Sequence, residues 1–327
     1  MQVNTPNSRP SHGDPPDAGM VWVPAGTFTM GSDRHYPEEA PAQPVYVDGF
    51  WMDATTVTNA AFARFVEETG YVTVAERPLN PAHYPGAKPE LLVPGSMVFR
   101  KPAGQVNIAD WRNWWAYVPG ASWRHPFGPG SAIAGDTHPV LHVAYEDAEA
   151  YARWAGKALP TEAEWERAAR GGIEGADYIW GDELRPEGKM LANFWVGEFP
   201  WQHDRPLGLE GTTPVGMFPP NGYGLFDMAG NVWEWTETWF SERHPDKPVK
   251  ACCIPQNPRG GSKHHSMDRC QPHIRIPRKV LKGGSHLCAA NYCFRYRPAA
   301  RSPQMVDSAS SHIGFRCIVR PGAPARR

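Results

Sequence analysis

Two cysteines five positions apart, Cys288 and Cys293, are the side chains of this sequence best suited to redox or metal chemistry. The chain has only six cysteines, and all of them lie in its last quarter. A disulfide framework in a secreted protein normally distributes its bridges through a small fold. The clustering therefore favours metal binding, redox chemistry or catalysis, and the structural alternative is one or two local disulfides plus buried thiols.

The spacing of this pair restricts the local structure if the two sulfur atoms converge. A five-residue step turns side chains apart by about 140° on a helix and sends them to opposite faces on a strand. Residues 289–292, with the sequence AANY, must then form a turn that reverses the chain. Such a pair could be a disulfide, a dithiol couple, or two ligands of a soft metal.

Among metals, thiolates select Cu(I), zinc and the iron of iron–sulfur clusters over hard cations. Two sulfurs leave a tetrahedral zinc half satisfied, whereas a low-coordinate Cu(I) needs no further protein ligand. Two adjacent thiolates repel each other, and nearby cations would offset their charge. The arginines close enough in sequence are Arg295, Arg297 and Arg301, although a surface salt bridge is the ordinary role of each.

The elements that must position these cysteines are short. From about residue 20, β-like runs alternate with Gly and Pro turns, and three helices stand out. The first is predicted to start at Thr58 as N-cap and to end at Gly70, and the second covers residues 145–156 and ends at Gly156. The third starts at Thr161 as N-cap, with Glu164 completing a capping box, and ends at Gly171. All three helices are expected to be scaffold.

Composition points to one domain with long loops. The 327 residues include 35 Pro, 32 Gly and 14 Trp, too many for a regular helical or doubly wound architecture, so buried aromatics must hold the loops. We predict a single α+β domain of low regular secondary-structure content over residues 19–322. Residues 1–18 are predicted to be a disordered N-terminal tail, and residues 323–327 a C-terminal tail.

Charge and hydropathy argue against several classes of function. The 33 Lys plus Arg nearly balance the 34 Asp plus Glu, at a formal net charge of −1, which gives no general reason to bind nucleic acid or an anionic membrane. No apolar run approaches the ~18 residues of a membrane-spanning helix, and the N-terminus has no apolar signal segment. We expect a cytoplasmic protein that acts on a peptide or a small molecule.

The chain resembles the formylglycine-generating enzymes, the sulfatase-modifying factor family. The most specific match is the paired-cysteine segment GGSHLCAANYCFRYR, residues 283–297. Further matches extend the resemblance over nearly the whole chain from about residue 20, namely VPAGTFTMGS, HPVLHVAYEDAEAYARWAGKALPTEAEWERAARGG, ANFWVGEFP and PPNGYGLFDMAGNVWEWT. The resemblance implies the sulfatase-modifying factor fold, which is C-type-lectin-like.

The activity implied by this resemblance is the conversion of one cysteine of a sulfatase, in a Cys-X-Pro-X-Arg segment, to Cα-formylglycine with O2. Cys288 and Cys293 would bind a single Cu(I) through their thiolates. By the same match, Ser285 and Tyr292 line the site and Trp233 lies beside the copper. The partner would be an unfolded or nascent sulfatase polypeptide. We expect a monomer in which neither cysteine is needed for the hydrophobic core.

The resemblance also implies structural Ca²⁺, which prefers hard oxygen ligands close together. The matching ligands are the carboxylates of Asp227 and Glu234 and the backbone carbonyls of Gly230 and Val232. The ligands matching a second calcium site are Asn193, Phe194 and Leu209. At this second site Leu207 stands where the family has an acidic ligand, and Asp204 could replace it only if the loop shifts. We expect the second site to be empty or to hold magnesium.

The remaining cysteines depart from the family pattern. Secretory members form two structural disulfides at positions that here read Ala152, Ala169, Pro298 and Cys317, which leaves Cys317 without its partner. The loss of both bridges agrees with a reducing cytoplasm. Segment 251–273 has no counterpart in the secretory form, and its metal-type side chains are Cys252, Cys253, His264, His265 and Cys270. Their spacing fits no standard zinc pattern, so a mobile loop that faces the substrate is favoured over a zinc site.

Other functions fit parts of the pattern. A catalytically silent member of the fold would be a binding module without need of the cysteine pair, and a related oxidase could act on another thiol. An iron-dependent sulfoxide synthase would need an N-terminal helical domain, where this sequence has a short polar tail. A dithiol redox protein is disfavoured because the sequence has no C-x-x-C. In the segment ASWRHP, Trp123 and Arg124 are the candidates for gripping a peptide.

Overall fold

A computed structural model describes residues 13–205, 211–245 and 253–322 of the chain. Short strands, three α-helices and several 3-10 turns are joined by long loops. The helices are α1 Asn59–Thr69, α2 Tyr145–Trp154 and α3 Glu162–Arg170. The strands are β1 Met20–Val23, β2 Gly26–Met30, β3 Gln43–Val47, β4 Phe50–Asp53, β5 Gly95–Phe99, β6 Trp115–Pro119, β7 Trp233–Trp239, β8 Arg278–Lys282, β9 Arg301–Met305, β10 Ile313–Gly314 and β11 Ile318–Val319.

The strands form two small sheets and two separate pairs. β4 pairs antiparallel with both β1 and β11, so that strands near the two ends of the chain share one sheet. The four-stranded sheet has the order β10-β7-β8-β9 and is antiparallel except for the β10–β7 pair. β2 pairs with β3, and β5 with β6, both antiparallel. Because β8 ends at Lys282, this sheet leads directly into the paired-cysteine segment.

Capping side chains set the ends of two helices where the sequence predicts them. At the start of α1 the Thr58 hydroxyl oxygen accepts a backbone N–H at 3.3 Å, and Gly70 ends the helix with φ 68°. At the start of α3, Thr161 and Glu164 cap each other's backbone N–H groups at 2.7 and 3.1 Å. Gly171 ends α3 with φ 57°. These limits confirm the predicted ones.

The second helix, α2, ends earlier than predicted, at Trp154 rather than Gly156. Its start is held by the buried Asp147 carboxylate, which accepts the backbone N–H of Ala144 at 2.8 Å. The other oxygen of the same carboxylate accepts the Tyr71 hydroxyl at 3.1 Å and a backbone N–H from the following segment at 2.9 Å. Asp147 therefore ties α2 to the chain that follows α1.

One large hydrophobic core lies between helices and sheets, and aromatic rings hold its loops. The ring centroid of Phe62, on α1, lies 5.2 Å from that of Trp123, 6.0 Å from that of Tyr151 and 6.4 Å from that of Phe315. These partners belong to distant parts of the sequence, so each ring contact closes a long loop. The prediction of one α+β domain with little regular structure is confirmed.

The predicted N-terminal tail is described from residue 13 onward. Within it, Asp17 forms an ion pair with Lys157 at 2.7 Å, so the end of this segment is attached to the domain. Residues 1–12 and 323–327 lie outside the described residues. Within the described ranges, no helix is long and apolar enough to cross a membrane.

Candidate active site

The two cysteines converge through a turn. Their Sγ atoms are 2.8 Å apart. The carbonyl oxygen of Ala289 accepts the N–H of Tyr292 at 3.1 Å and that of Cys293 at 2.8 Å, so the chain reverses within these five residues. The prediction that the intervening segment forms a turn is confirmed, because a helix or strand would keep the sulfurs apart.

The segment before the turn is held from two sides. The Ser285 carbonyl accepts the Cys288 N–H at 2.9 Å, and the Cys288 carbonyl accepts the Trp195 N–H at 2.9 Å. Ser285 is fully buried, and its hydroxyl oxygen accepts the N–H of Leu287 at 3.2 Å. Ser285 therefore supports the backbone that leads to Cys288.

Two glycines allow the chain to leave β8 and enter this segment. Gly283 and Gly284 have φ values of 91° and 70°, a left-handed region that other residues rarely adopt. A Cβ atom on Gly284 would lie 2.9 Å from the Arg295 carbonyl oxygen, and one on Gly283 would lie 3.1 Å from the Trp165 ring. The chain entering the turn thus packs directly against the chain that leaves it.

The two thiols differ in how deeply they are buried. Cys288 is 2% exposed and belongs to the main hydrophobic core, whereas Cys293 is half-buried and packs against the edge of that core. The expectation that neither cysteine is needed for the core is therefore wrong for Cys288. Its side chain is part of the packing that positions the pair.

The two thiols also differ in pKa. Burial raises the pKa of Cys288, and its hydrogen bond with Cys293 raises that pKa further. The pKa of Cys293 is lowered, first because Cys288 hydrogen-bonds to its sulfur and then because the Arg295 guanidinium lies close. The first thiolate of the pair therefore forms on Cys293, with the Cys288 S–H as donor.

Of the three arginines after the turn, Arg295 is the one that serves the pair. Its guanidinium lies 3.8 Å from the centroid of the Tyr36 ring and donates to the Glu38 carboxylate at 2.7 Å. Arg297 and Arg301 form buried ion pairs with other carboxylates, at 2.5 and 2.7 Å. The thiolate-offsetting role considered for all three thus belongs to Arg295, and the other two stabilise the core.

The two aromatic candidates occupy different surroundings. Tyr292 is 41% exposed and stacks on Phe199 at 4.7 Å between ring centroids, with Trp114 edge-on at 5.4 Å. It therefore presents an aromatic surface to solvent directly before Cys293. Trp233, at the start of β7, is buried in the same core that contains Cys288.

A cavity of about 470 Å³ lies next to the cysteine segment. Trp195, whose N–H binds the Cys288 carbonyl, and His286, two residues before Cys288, both line it. The candidate Trp123 lines it as well, whereas Arg124 stacks on the outside of the Trp123 ring at 4.2 Å. Its other apolar walls include Phe99, Phe127, Ile133 and Leu141. Sequence reasoning missed most of these residues, and only the ASWRHP motif pointed to the cavity.

The polar groups of the cavity include two neutral imidazoles. His286 Nδ1 makes a 2.8 Å hydrogen bond with the Asn231 carbonyl, so this nitrogen carries the proton, and burial lowers the pKa of His286 to about 4. His138 Nδ1 is 3.0 Å from the Thr212 hydroxyl, and burial lowers its pKa too. With these rings and its apolar walls, the cavity suits apolar side chains and uncharged hydrogen-bonding groups.

The segment implied to bind the first calcium already has internal partners. Both oxygens of Glu234 accept from the Arg316 guanidinium at 2.8 Å, and the Trp165 indole donates to one of them at 2.8 Å. Asp227 accepts the N–H of Gly216 at 2.7 Å, and burial raises its pKa. Asp227 forms no ion pair with a described residue, although the charge of Arg316 acts on it. Calcium bound there with the carbonyls of Gly230 and Val232 stays a prediction.

At the second implied calcium site, the buried Asn193 side-chain oxygen accepts a hydrogen bond from Arg205. Phe194 is buried in the core. Leu209 lies outside the described residues, as does position 207. The Asp204 carboxylate makes a 3.0 Å hydrogen bond within its own loop.

The cysteine- and histidine-rich segment 251–273 does not assemble a metal site from its described residues. Cys253 and Cys270 are exposed, and Cys252 lies outside the described residues. Across the described ranges, no three His, Cys, Asp or Glu side chains gather into a metal-binding group. Cys317 is a fully buried thiol, as its missing disulfide partner implies.

Residues 6–321 match the protein family described as “Sulfatase-modifying factor enzyme 1-like domain”. The formylglycine-generating enzyme of Mycobacterium tuberculosis is 56% identical over 304 residues, which cover 92% of this chain and 98% of that protein. The formylglycine-generating enzyme of Bos taurus is 43% identical over 320 residues, or 97% and 78% of the two chains. The inactive C-alpha-formylglycine-generating enzyme 2 of Mus musculus is 38% identical over 317 residues, or 94% and 88%.

Solved structures share the fold at lower sequence identity. PvdO from Pseudomonas aeruginosa superposes with a TM-score of 0.60 at 21% identity, covering 92% of this chain and 94% of that one. Treponema denticola variable protein 1 gives a TM-score of 0.55 at 20% identity, covering 92% and 95%. At these identities the likeness concerns the fold alone.

Proposed function

The chain belongs to the sulfatase-modifying factor enzyme family, and we propose that it converts a cysteine of sulfatases to Cα-formylglycine. The 56% identity to a formylglycine-generating enzyme over most of the chain supports this activity. One observation of the site carries the proposal: the two thiols of the most specific motif meet at 2.8 Å, in a segment whose His286 lines a cavity that can hold part of a peptide. A silent binding module has no need of such a pair.

The oxidant of the proposed reaction is O2. The substrate cysteine loses two hydrogen atoms to become a thioaldehyde, and O2 takes up these two electrons and two protons. Water then replaces the sulfur of the thioaldehyde, which leaves as hydrogen sulfide and yields the aldehyde. Amino-acid side chains do not by themselves carry out oxidations with O2 of this kind, so a redox cofactor is needed.

The cysteine pair fits Cu(I) as that cofactor. Two thiols 2.8 Å apart present soft donors, the ligand type that Cu(I) prefers and hard cations avoid. The same two donors leave zinc half satisfied. Bound copper would supply the one-electron chemistry with O2. The task of the protein is to hold the two sulfurs together, which the turn at Ala289 and the burial of Cys288 accomplish.

The residues around the pair are proposed to have different roles, which follow from their burial and charge. Cys293, at the edge of the core, ionises first, and Arg295 offsets the resulting negative charge. Cys288 anchors the pair in the core. Tyr292 offers an exposed ring beside Cys293, against which an incoming peptide can pack.

The client is proposed to be an unfolded or nascent sulfatase polypeptide, because a cysteine can reach the thiol pair only on an extended, accessible segment. The apolar walls of the cavity suit the proline of a Cys-X-Pro-X-Arg segment, and its neutral imidazoles can bond to peptide groups. Phe127, which lines the cavity, is 67% exposed and extends the apolar surface outward. An exposed apolar surface of this kind suits an unfolded chain.

We also propose that the protein works as a monomer in the cytoplasm. The support for a cytoplasmic location is chemical, since Cys270, Cys288, Cys293 and Cys317 are free thiols, as a reducing compartment would keep them. Gel filtration of the reduced protein measures the oligomeric state, and a dimer would contradict the proposed monomer.

A peptide assay tests the proposed activity. A synthetic peptide containing Cys-X-Pro-X-Arg is incubated aerobically with the reduced, Cu(I)-loaded protein, and mass spectrometry scores conversion of its thiol to an aldehyde. We expect aldehyde that depends on copper, in wild type and in the exposed-cysteine control Cys270→Ser. Unchanged peptide with copper demonstrably bound would refute the proposal and favour another thiol substrate or a binding module.

A further inference from the structure

A partly buried arginine lies where the family resemblance places a second calcium ion. Asn193 is 1% exposed, and its Oδ1 atom accepts a hydrogen bond from Nη1 of Arg205. Its Nδ2 atom donates to the Gly211 carbonyl at 3.0 Å and to Asn231 Oδ1 at 3.1 Å. Since these two acceptors fix the orientation of the amide, the oxygen is the atom that faces the guanidinium.

Arg205 has no anionic partner of its own in the described part of the chain. Burial lowers its pKa, and no described carboxylate forms an ion pair with it. The nearest aromatic ring is that of Phe218, 5.8 Å from the guanidinium carbon. A cation removed from water is costly unless polar groups bind it, so the Asn193 oxygen is the acceptor that stabilises Arg205 here.

The described groups around Asn193 do not fit calcium. Ca²⁺ takes about six to eight oxygen ligands, usually with carboxylates among them. The described residues bring no cluster of three acidic or histidine side chains to this place, and the one side-chain oxygen implied as a ligand is already bound by a cation. A calcium ion on the same oxygen would repel the guanidinium.

We propose that the guanidinium of Arg205 permanently replaces the second calcium ion of the family at Asn193. Arginine suits this role because it is positively charged at every physiological pH, weakly hydrated and rich in hydrogen-bond donors. Unlike a metal ion, it cannot be removed by a chelator. The loop from Asn193 to Arg205 is thereby held by a cation that belongs to the chain.

The replacement acts on the cysteine turn through two backbone hydrogen bonds. The Asn231 N–H donates to the Asn193 carbonyl at 2.7 Å, and the Trp195 N–H donates to the Cys288 carbonyl at 2.9 Å. Fixing Asn193 therefore fixes the short segment that carries Trp195 against the cysteine turn. In this protein that support is independent of calcium.

Thermal melting measures the contribution of Arg205. Arg205→Met should lower the melting temperature by about 2–5 °C, by the same amount in calcium and in the chelator EGTA, because a charged hydrogen bond is lost and no metal was present. Arg205→Lys should recover part of the loss. The control Arg34→Met, which removes an exposed cation paired with Asp177, should change the melting temperature little. An Arg205→Met protein that melts like wild type in EGTA would overturn the proposal.

Counting bound calcium tests the other half of the proposal. Purified full-length wild type, equilibrated with calcium and desalted, should hold at most one tightly bound calcium per chain by elemental analysis. Asp227→Ala, which removes the carboxylate of the first implied site, should hold none, and Asn193→Ala should hold as much calcium as wild type. Two calcium ions in wild type, one retained by Asp227→Ala, or one lost from Asn193→Ala would overturn the proposal.

Discussion

At the scale of the residue, the site depends on two identical side chains in unlike surroundings. The core around Cys288 disfavours its charged form, whereas the hydrogen bond from Cys288, and after it the Arg295 guanidinium, favour the charged form of Cys293. One thiolate and one thiol can therefore share a hydrogen bond before any metal arrives. Binding a metal through both sulfurs then requires the loss of one further proton, from Cys288, and this should make metal affinity increase with pH.

Cys293 should be alkylated before Cys288 in the reduced, metal-free protein. The thiolate is the nucleophile, and it forms first on Cys293. Peptide mapping after brief exposure to iodoacetamide near neutral pH measures the order. Arg295→Gln should slow the alkylation of Cys293 several-fold and leave that of the exposed Cys270 unchanged. Labelling of Cys288 ahead of Cys293 would contradict the assigned acidities.

Replacing either cysteine by serine should abolish turnover, but the two variants should differ in stability. Cys293→Ser alters the edge of the core and should unfold in urea much like wild type. Cys288→Ser places a hydroxyl in the core and should reduce the free energy of unfolding by about 1–3 kcal/mol. Aldehyde formation by either variant would exclude the two-thiol mechanism, and a Cys288→Ser protein as stable as wild type would contradict its place in the core.

At the scale of the element, the cysteine turn depends on how closely its two ends approach. The chain leaves β8 through two left-handed glycines and passes so near the Arg295 carbonyl that no side chain fits at Gly284. Arg295 in turn donates to Glu38, in the loop after β2. The geometry of the thiol pair is thus set by backbone contacts and by a loop from the other end of the chain.

Gly284→Ala should therefore impair both folding stability and turnover. The left-handed conformation alone costs alanine about 1–2 kcal/mol, and the new Cβ would lie 2.9 Å from the Arg295 carbonyl oxygen. Gly86→Ala is a matched control, since Gly86 has φ 83° with no atom within 4 Å of an added Cβ. Urea denaturation and the peptide assay should show a larger loss for Gly284→Ala; equal losses would mean that the close approach is unimportant.

The elements with local signals are those that the sequence predicts well. Thr58 and Thr161 cap their helices through atoms a few residues away, and the turn between the cysteines follows from their spacing. The partner of Arg295 is different, because Glu38 is 257 residues distant and no local pattern specifies the pair. The family resemblance likewise supplied the candidate Ser285, but its role in holding the backbone is visible only in the structure. The cavity walls come from segments spread over residues 59–311, so no local pattern specifies them.

At the scale of the whole molecule, the interior contains charges that are paired and imidazoles that are neutral. Lys282 and Glu166 form a fully buried ion pair at 3.1 Å. Burial lowers the pKa of His142 to about 3, of His286 to about 4 and of His312 to about 3. Burial without an opposite charge therefore keeps these three imidazoles in their uncharged form.

These imidazoles should make the protein less stable in mild acid. In the unfolded chain a histidine has a pKa of about 6.5, so the unfolded state takes up protons first as the pH falls. The stability that each neutral imidazole contributes is complete above about pH 6.5 and is lost toward its folded-state pKa. Asp147 acts in the opposite sense, because burial raises its pKa to about 7. The pH dependence of wild type alone therefore does not isolate the histidines.

His142→Asn isolates one imidazole. His142 has a φ of 57°, which asparagine tolerates, and an amide can keep the 2.8 Å hydrogen bond to the Ser96 hydroxyl. From about pH 7 to about pH 5, wild type should lose about 2 kcal/mol more unfolding free energy than this variant, because the unfolded imidazole is protonated over that range. The surface control His264→Asn should follow wild type in urea denaturation. Equal pH dependence in wild type and His142→Asn would mean that this imidazole takes up its proton within the folded protein. That result would contradict the neutral form that we derive from its complete burial.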